Sequence, residues 1–323
     1  MRGRRGAPGG RETFGMSIGV REAAAPAGVR SRRRSRRRGR RSAYPFWFFL
    51  PAFAVFFVFF LVPTFSSFYY SFTRWTLFDS TWIGLENFKQ FFQEPALTSS
   101  LWHTLVYAVV TSGTKVVLGM LLAVLLTSSV WGRAFMRSVV FFPVLVSTIG
   151  VGLIFTVLME PDQGLFNDAL GLVGIQGPRW LVDPRYALLS VALTDVWKGV
   201  GLATVIYIAG IVSIPREFYD AARVDGASAY TSFRYITLPL AWPATMTVII
   251  LSLIGGLRSF DLIWAMTRGG PGFKSDVIAS VIYKQYQAGF YGLSTAGNVV
   301  LFVLVTAIIL PLYWFLSRRE VQL

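Results

Sequence analysis

The chain of 323 residues is 54% hydrophobic and 16% aromatic, only 15% charged, and has a mean hydropathy of +0.54. Soluble domains average about 25% charged residues, so the polar groups needed to cover a water-facing surface are missing. An ordinary soluble enzyme and a fully disordered chain are excluded, and a polytopic membrane protein remains. With no cysteine there is neither disulfide nor thiolate, and the single histidine, His103, argues against a His-based zinc site or proton relay. No metal site is expected.

In chain order, residues 1–44 come first. They hold 14 arginines against Glu12 and Glu22, a local charge of +12 out of the total +15, leaving +3 for residues 45–323. Such a segment repels itself and has no core to bury, so it is expected to be a disordered cytoplasmic tail that attracts anionic lipid and fixes topology. Nucleic acid is not the expected partner, because no aromatic residues interleave with the arginines as a stacking platform requires. Arginines before an apolar run also imitate a secretory signal, and Ala52-Phe53-Ala54 imitates its cleavage site. The apolar run continues through Val55 to Val62, which favours a retained first span.

A helix needs about 20 apolar residues to cross the hydrocarbon core. Six stretches meet that length: Phe46 to Phe65, with an interfacial continuation to Phe72, then Leu105 to Ser128, Ser138 to Met159, Ala187 to Val212, Leu240 to Thr267 and Leu293 to Leu316. Unpaired backbone groups are not tolerated in lipid, so these are helices and the fold class is all-α. With the arginine tail inside, both termini are cytoplasmic. Inside loops then hold seven Lys/Arg in 43 residues, against seven in 84 outside, in the sense of the positive-inside rule. This reading puts His103 in an external loop. Trp47, Trp82, Trp102, Trp180, Trp264 and Trp314 fall near span ends and suit interfacial anchoring.

Charge within or beside the spans is costly and faces protein or water. Asp195 and Lys198, like Arg258 and Asp261, stand one turn apart with opposite signs. Each pair either closes on its own helix or lines a wet path for a polar solute; Lys115 reads as structural.

The segment 214–239 between the fourth and fifth spans is the most informative. Pro215 starts a helix, Glu217 and Asp220 sit in or near its first turn, and Gly226 ends it. A second short helix is expected from Ser228 to Ile236, with Pro239 opening the fifth span. This polar, ordered elbow belongs outside the membrane. It resembles the EAA loop of permease subunits from bacterial binding-protein-dependent ABC importers, a pattern of Glu-Ala-Ala, three residues, Gly, about nine residues and Ile-x-Leu-Pro. Asp220-Ala221-Ala222, Gly226, Ile236, Leu238 and Pro239 fit it, with Asp220 a shorter carboxylate of the same charge. Asp220 to Ala227, Ile236 to Pro239, Phe260 to Trp264, Thr267 to Gly272 and Phe141-Phe142-Pro143 are similar to the sugar branch, which includes permeases for maltose, trehalose and glycerol 3-phosphate.

The resemblance implies the type I permease fold over 45–323 in a bacterial cell membrane. It also implies a second permease, usually a different chain, two ATPase subunits that bind ATP and magnesium, and an external solute-binding protein. No cofactor is expected in this chain. Glu217, Asp220, Ala221, Ala222, Asp225, Gly226, Leu238 and Pro239 would couple to an ATPase. A sugar needs hydrogen-bonding groups and aromatic faces, for which the candidates are Asp195, Trp197, Tyr207, Ser252, Arg258, Asp261 and Asn298. The Gly269 to Ser275 run lacks Walker spacing and reads as turns. Alternatives are a permease for glycerol 3-phosphate or a polyol, an ion-coupled secondary transporter, and a membrane enzyme, for which no nucleophile–base pair is visible.

Overall fold

A computed structural model describes residues 46–76, 78–128 and 131–318; the expected tail 1–44 lies outside these. The chain divides into units 1–51 and 52–323, and the second carries the bundle.

The first apolar stretch forms α1 (Trp47–Ser71). It is longer than the sequence suggested, because the aromatic continuation stays helical. Pro63 supplies no N–H to the preceding turn, and the helix widens to a π turn at Phe57–Leu61 just ahead of it. A two-stranded hairpin follows, β1 (Thr73–Trp75) and β2 (Ser80–Trp82), antiparallel with Thr73 opposite Trp82. Next is α2 (Glu86–Gln93), whose Asn87 Nδ2 donates to Ser71 O and Thr73 O and fixes the hairpin to the end of α1.

Helix α3 (Pro95–Thr127) begins ten residues before the expected Leu105, with Pro95 in its first turn. Its 33 residues reach about 50 Å, more than a hydrocarbon core of about 30 Å, so the first turns project beyond it. His103 therefore lies in a helix and not in a loop.

The third stretch is not one straight span. Helices α4 (Arg133–Leu145) and α5 (Thr148–Leu158) meet at 99°, with Pro143 in the last turns of α4 and an extended Val146 at the break. A short α6 (Leu165–Gly171) follows, then α7 (Ala187–Val212), whose bounds match the expectation. After α8 (Arg216–Val224) comes α9 (Ala229–Leu240), set at 67° to α10 (Trp242–Leu257). Pro243 is the proline in the first turn of α10; Pro239 falls at the end of α9. The expected fifth span also ends early, and its last residues form a separate α11 (Asp261–Met266). The chain ends with α12 (Ile278–Gln287) and α13 (Tyr291–Ser317). Among the described residues four helices are long and apolar enough to cross a membrane, and six if each bent pair is one span.

Helix α3 packs along α7 and α10, and α13 packs on α1 and α12. One apolar cluster gathers Tyr107, Val151, Phe155, Val191 and Ile263 from α3, α5, α7 and α11. A second gathers Met120, Ala203, Tyr207 and Val248 from α3, α7 and α10. A third, of Phe91, Leu97, Val281 and Leu293, joins α2, α3, α12 and α13. Outside these clusters the spans are largely bare: Phe53, Phe59 and Phe65 of α1 and Phe302 and Leu310 of α13 are exposed, as lipid or a second chain requires.

A polar knot closes the loop between α11 and α12. Asp276, 1% exposed, accepts from Lys284 Nζ at 2.7 and 2.9 Å and from Ser280 Oγ at 2.8 Å. Its backbone oxygen lies 3.0 Å from His103 Nδ1, and Ile278 N donates to Thr104 Oγ1 at 2.9 Å, so the knot also fastens the projecting start of α3.

Candidate functional site

The elbow after α7 is built by local rules. Ile214 is buried and anchors the end of the span, and Pro215 (ψ 137°) turns the chain out of it. Glu217 lies in the first turn of α8 and Arg223 in the last, each opposing the helix dipole. At the far end Ala227 N donates to Ala222 O at 2.8 Å and Gly226 N to Arg223 O at 3.1 Å, the two bonds of a Schellman closure. Gly226 has φ +75°, a conformation that costs an L side chain about 1–2 kcal/mol. Ser228 Oγ then accepts from Thr231 N at 3.1 Å and starts α9.

This gives a short rigid helix with no buried residue. Glu217, Asp220, Ala221 and Asp225 are exposed beside Phe218 and Val224, so apolar and acidic groups are presented together. The exposed Asp220–Arg223 pair, at 3.6 Å, contributes little. The hold on the bundle comes from behind: Tyr219 Oη lies 3.0 Å from the Oγ1 of buried Thr237, on α9. Phe233 and Leu238 of α9 pack against the second apolar cluster, and Trp242 Nε1 donates to Leu316 O at the end of α13. Of the eight expected coupling residues, Glu217, Asp220, Ala221, Ala222, Asp225 and Gly226 thus form the presented helix and its cap, while half-buried Leu238 and Pro239 belong to the seat behind it.

The seven expected path residues do not converge. Among the described residues no hydrogen bond or ion pair joins any two of them. Asp195 is paired with Lys115 across two helices, Nζ to Oδ2 at 2.7 Å, and not with Lys198 on its own. A single turn sets Lys198 near Asp195 in sequence, but Gly199 leaves the room on α7 in which the Lys115 stem lies: a Cβ there would stand 2.7 Å from Lys115 Cε. The hydroxyl of buried Tyr107 lies beside Asp195 and Ser259 without completing a hydrogen bond. Tyr207 is fully buried in the second cluster, near Thr245. Trp197 is on another face, its ring 5.1 Å from Phe155. Ser252 is half-buried on α10, whereas Arg258 and Asp261 are exposed and make no ion pair with each other. Asn298 is exposed on α13. Trp180, grouped with the interfacial anchors, donates from Nε1 to Asn167 Oδ1 at 2.7 Å. Sequence reasoning missed Tyr107 and the partnership of Lys115; the signal available was a lysine inside a span with no acid within a turn of it.

Residues 115–320 match the family described as binding-protein-dependent transport system inner membrane component. A probable ABC transporter permease protein of Sinorhizobium fredii is 37% identical over 311 residues, 94% of this chain and 98% of its own length. A trehalose/maltose transport system permease protein of Thermococcus litoralis is 33% identical over 258 residues, covering 79% of this chain and 88% of its own. In structure, a chain of a bacterial ABC transporter involved in alginate import superposes with a TM-score of 0.75 at 24% identity, over 84% of this chain and 94% of that one. At that identity the likeness concerns the fold.

Proposed function

The chain belongs to the family of binding-protein-dependent transport system inner membrane components, the non-catalytic permease subunits of ABC importers, and on that premise we propose that it imports a sugar, a di- or oligosaccharide. Relatives named for trehalose/maltose, multiple sugars and arabinooligosaccharides support the substrate class. An external solute-binding protein delivers the sugar, a second and different permease completes the pathway, and two ATPase subunits supply the stroke and bind the ATP and magnesium. Both termini are cytoplasmic, which puts the elbow on the ATPase side.

The observation that carries this reading is α8: a capped helix with no buried residue, joined to α7 through Pro215 and seated on α9 through Tyr219 and Thr237. A rigid helix passes a displacement to the attached spans, where a flexible loop would absorb it. Glu217 and Asp220 offer charge, and Phe218 and Val224 an apolar face, to a cleft in the ATPase.

An ion-coupled mechanism needs a free intramembrane acid. Of the two acids within or beside the spans, Asp195 is paired with Lys115, which removes one carrier and leaves Asp261 alone at the end of the expected fifth span. The test is reconstitution in vesicles with the co-purified subunits. Uptake of sugar from its binding protein should require ATP and the ATPase subunits; accumulation without them overturns the proposal.

A further inference from the structure

A cavity of about 200 Å³ lies between the last turn of α3, the start of α4 and the middle of α7. Leu126, Val140, Val205 and Ile208 give it apolar walls, and Arg137 is the charged residue that lines it. A guanidinium offers five N–H donors. One, on Nη2, goes to Leu126 O at 2.7 Å, while Nε is buried with no hydrogen-bond partner. Among the described residues no carboxylate stands within ion-pair distance of Arg137. The sequence explains why: there is no Asp or Glu between Glu94 and Glu160, and the facing α7 has only Asp195, which Lys115 holds. Arg133, exposed one turn earlier on α4, is a second cation on the same face of that helix.

A half-buried cation with unused donors beside apolar walls calls for an anion that brings its own hydrocarbon. We infer that the cavity binds an anionic phospholipid, its phosphate on Arg137 with Arg133 beside it, and an acyl chain along Leu126, Val140, Val205 and Ile208. Free phosphate would meet the cation but leave the walls uncovered. None of the residues that line it belongs to the elbow or to the seven expected path residues. It assumes only that the turn between α3 and α4 faces the cytoplasm, so that the lipid comes from the inner leaflet.

The test uses the assembled transporter, delipidated in detergent and titrated with phosphatidylglycerol, phosphatidylethanolamine or inorganic phosphate, with bound lipid counted by native mass spectrometry. The arginines before residue 45 also attract anionic lipid, so the readout is the tightest single equivalent. Phosphatidylglycerol should bind at least about tenfold more tightly than phosphatidylethanolamine, and inorganic phosphate should not displace it. Arg137→Gln should weaken that equivalent about tenfold, and Arg137→Lys less, since it keeps the charge without the fork. Val205→Trp, which fills the cavity and leaves the cation, should abolish it, and decides the matter if Arg137→Gln does not assemble. Equal binding of the two lipids, an unchanged equivalent in Val205→Trp, or displacement by phosphate overturns the assignment.

Discussion

Lys115 of α3 and Asp195 of α7 meet at 2.7 Å between the two apolar clusters that α3 and α7 share, so the pair ties one helix to the other. Removing one partner leaves a charge in a poorly hydrated place, whereas removing both does not. Asp195→Leu alone should destabilise the chain by about 3 kcal/mol, and Lys115→Met with Asp195→Leu should recover most of that. Thermal unfolding in detergent across the double-mutant cycle checks it. Equal stability of the single and double variants would remove the pair as a fastening between helices.

Gly226 separates backbone from contact effects cleanly, because a Cβ there meets no atom within 4 Å while φ is +75°. A substitution that keeps the N–H therefore acts through conformation alone, whereas proline also removes the bond from Gly226 N to Arg223 O. Gly226→Asn, tolerant of the left-handed region, should keep most uptake. Gly226→Ala should cost about 1 kcal/mol of cap stability, and Gly226→Pro, whose ring fixes a negative φ, should abolish ATP-driven uptake. Membrane insertion should be equal in all three. Normal uptake by Gly226→Pro would sink the coupling role.

The hydrogen bond between Tyr219 and Thr237 is the side-chain link from α8 to its seat. Tyr219→Phe removes a contact worth about 1 kcal/mol and keeps the ring, so the chain should assemble normally. If α8 is the lever proposed above, what should change is the ratio of sugar transported to ATP hydrolysed, which falls as the lever loosens. An unchanged ratio in vesicles would place the mechanical link elsewhere.

The residues explain what the sequence made legible. Helix α7 is legible to its ends because Pro215 and the polar residues near Tyr186 bound a mostly apolar run. The elbow was legible because Pro215 and Gly226 punctuate it. The 99° and 67° bends were not, since a bent pair and a straight span have the same composition. Pro143, Pro239 and Pro243 were the only local hints. His103 does not read as helical because the first turns of α3 carry Thr98, Ser99, Ser100 and Thr104 and pack on α12 and the loop before it, beyond the length a membrane dictates. The Lys115–Asp195 pair spans 80 residues, and Lys198 was the nearer cation in sequence; only tertiary packing decides between them.

The polar knot at Asp276 holds the loop before α12 to the start of α3. Removing a carboxylate that is 1% exposed and accepts from Lys284 and Ser280 takes the counter-ion from Lys284, whose side chain is 30% exposed, while the Ser280 hydroxyl keeps Val277 O as an acceptor. Asp276→Ala should cost about 1–3 kcal/mol, and Asp276→Asn less, because the amide oxygen still accepts. Hydrogen exchange should show the loss concentrated in residues 267–287 and the first turns of α3. A loss spread evenly over the bundle would contradict the local fastening.

Asp261 tests the solute path most directly. It is exposed in the first turn of α11, without an ion pair to Arg258, and takes part in none of the apolar clusters. Its one evident structural task is to oppose the helix dipole, worth about 0.3–1 kcal/mol, so Asp261→Ala should unfold at nearly the wild-type temperature. A carboxylate that hydrogen-bonds a passing sugar hydroxyl contributes about 1.5–3 kcal/mol, so uptake should fall by about tenfold or more. Basal ATP turnover by the assembled complex should persist, because the elbow, the proposed ATPase contact, is untouched. A fall in stability without a fall in uptake would give Asp261 the dipole role alone. A fall in uptake at unchanged stability would place it on the route of the solute.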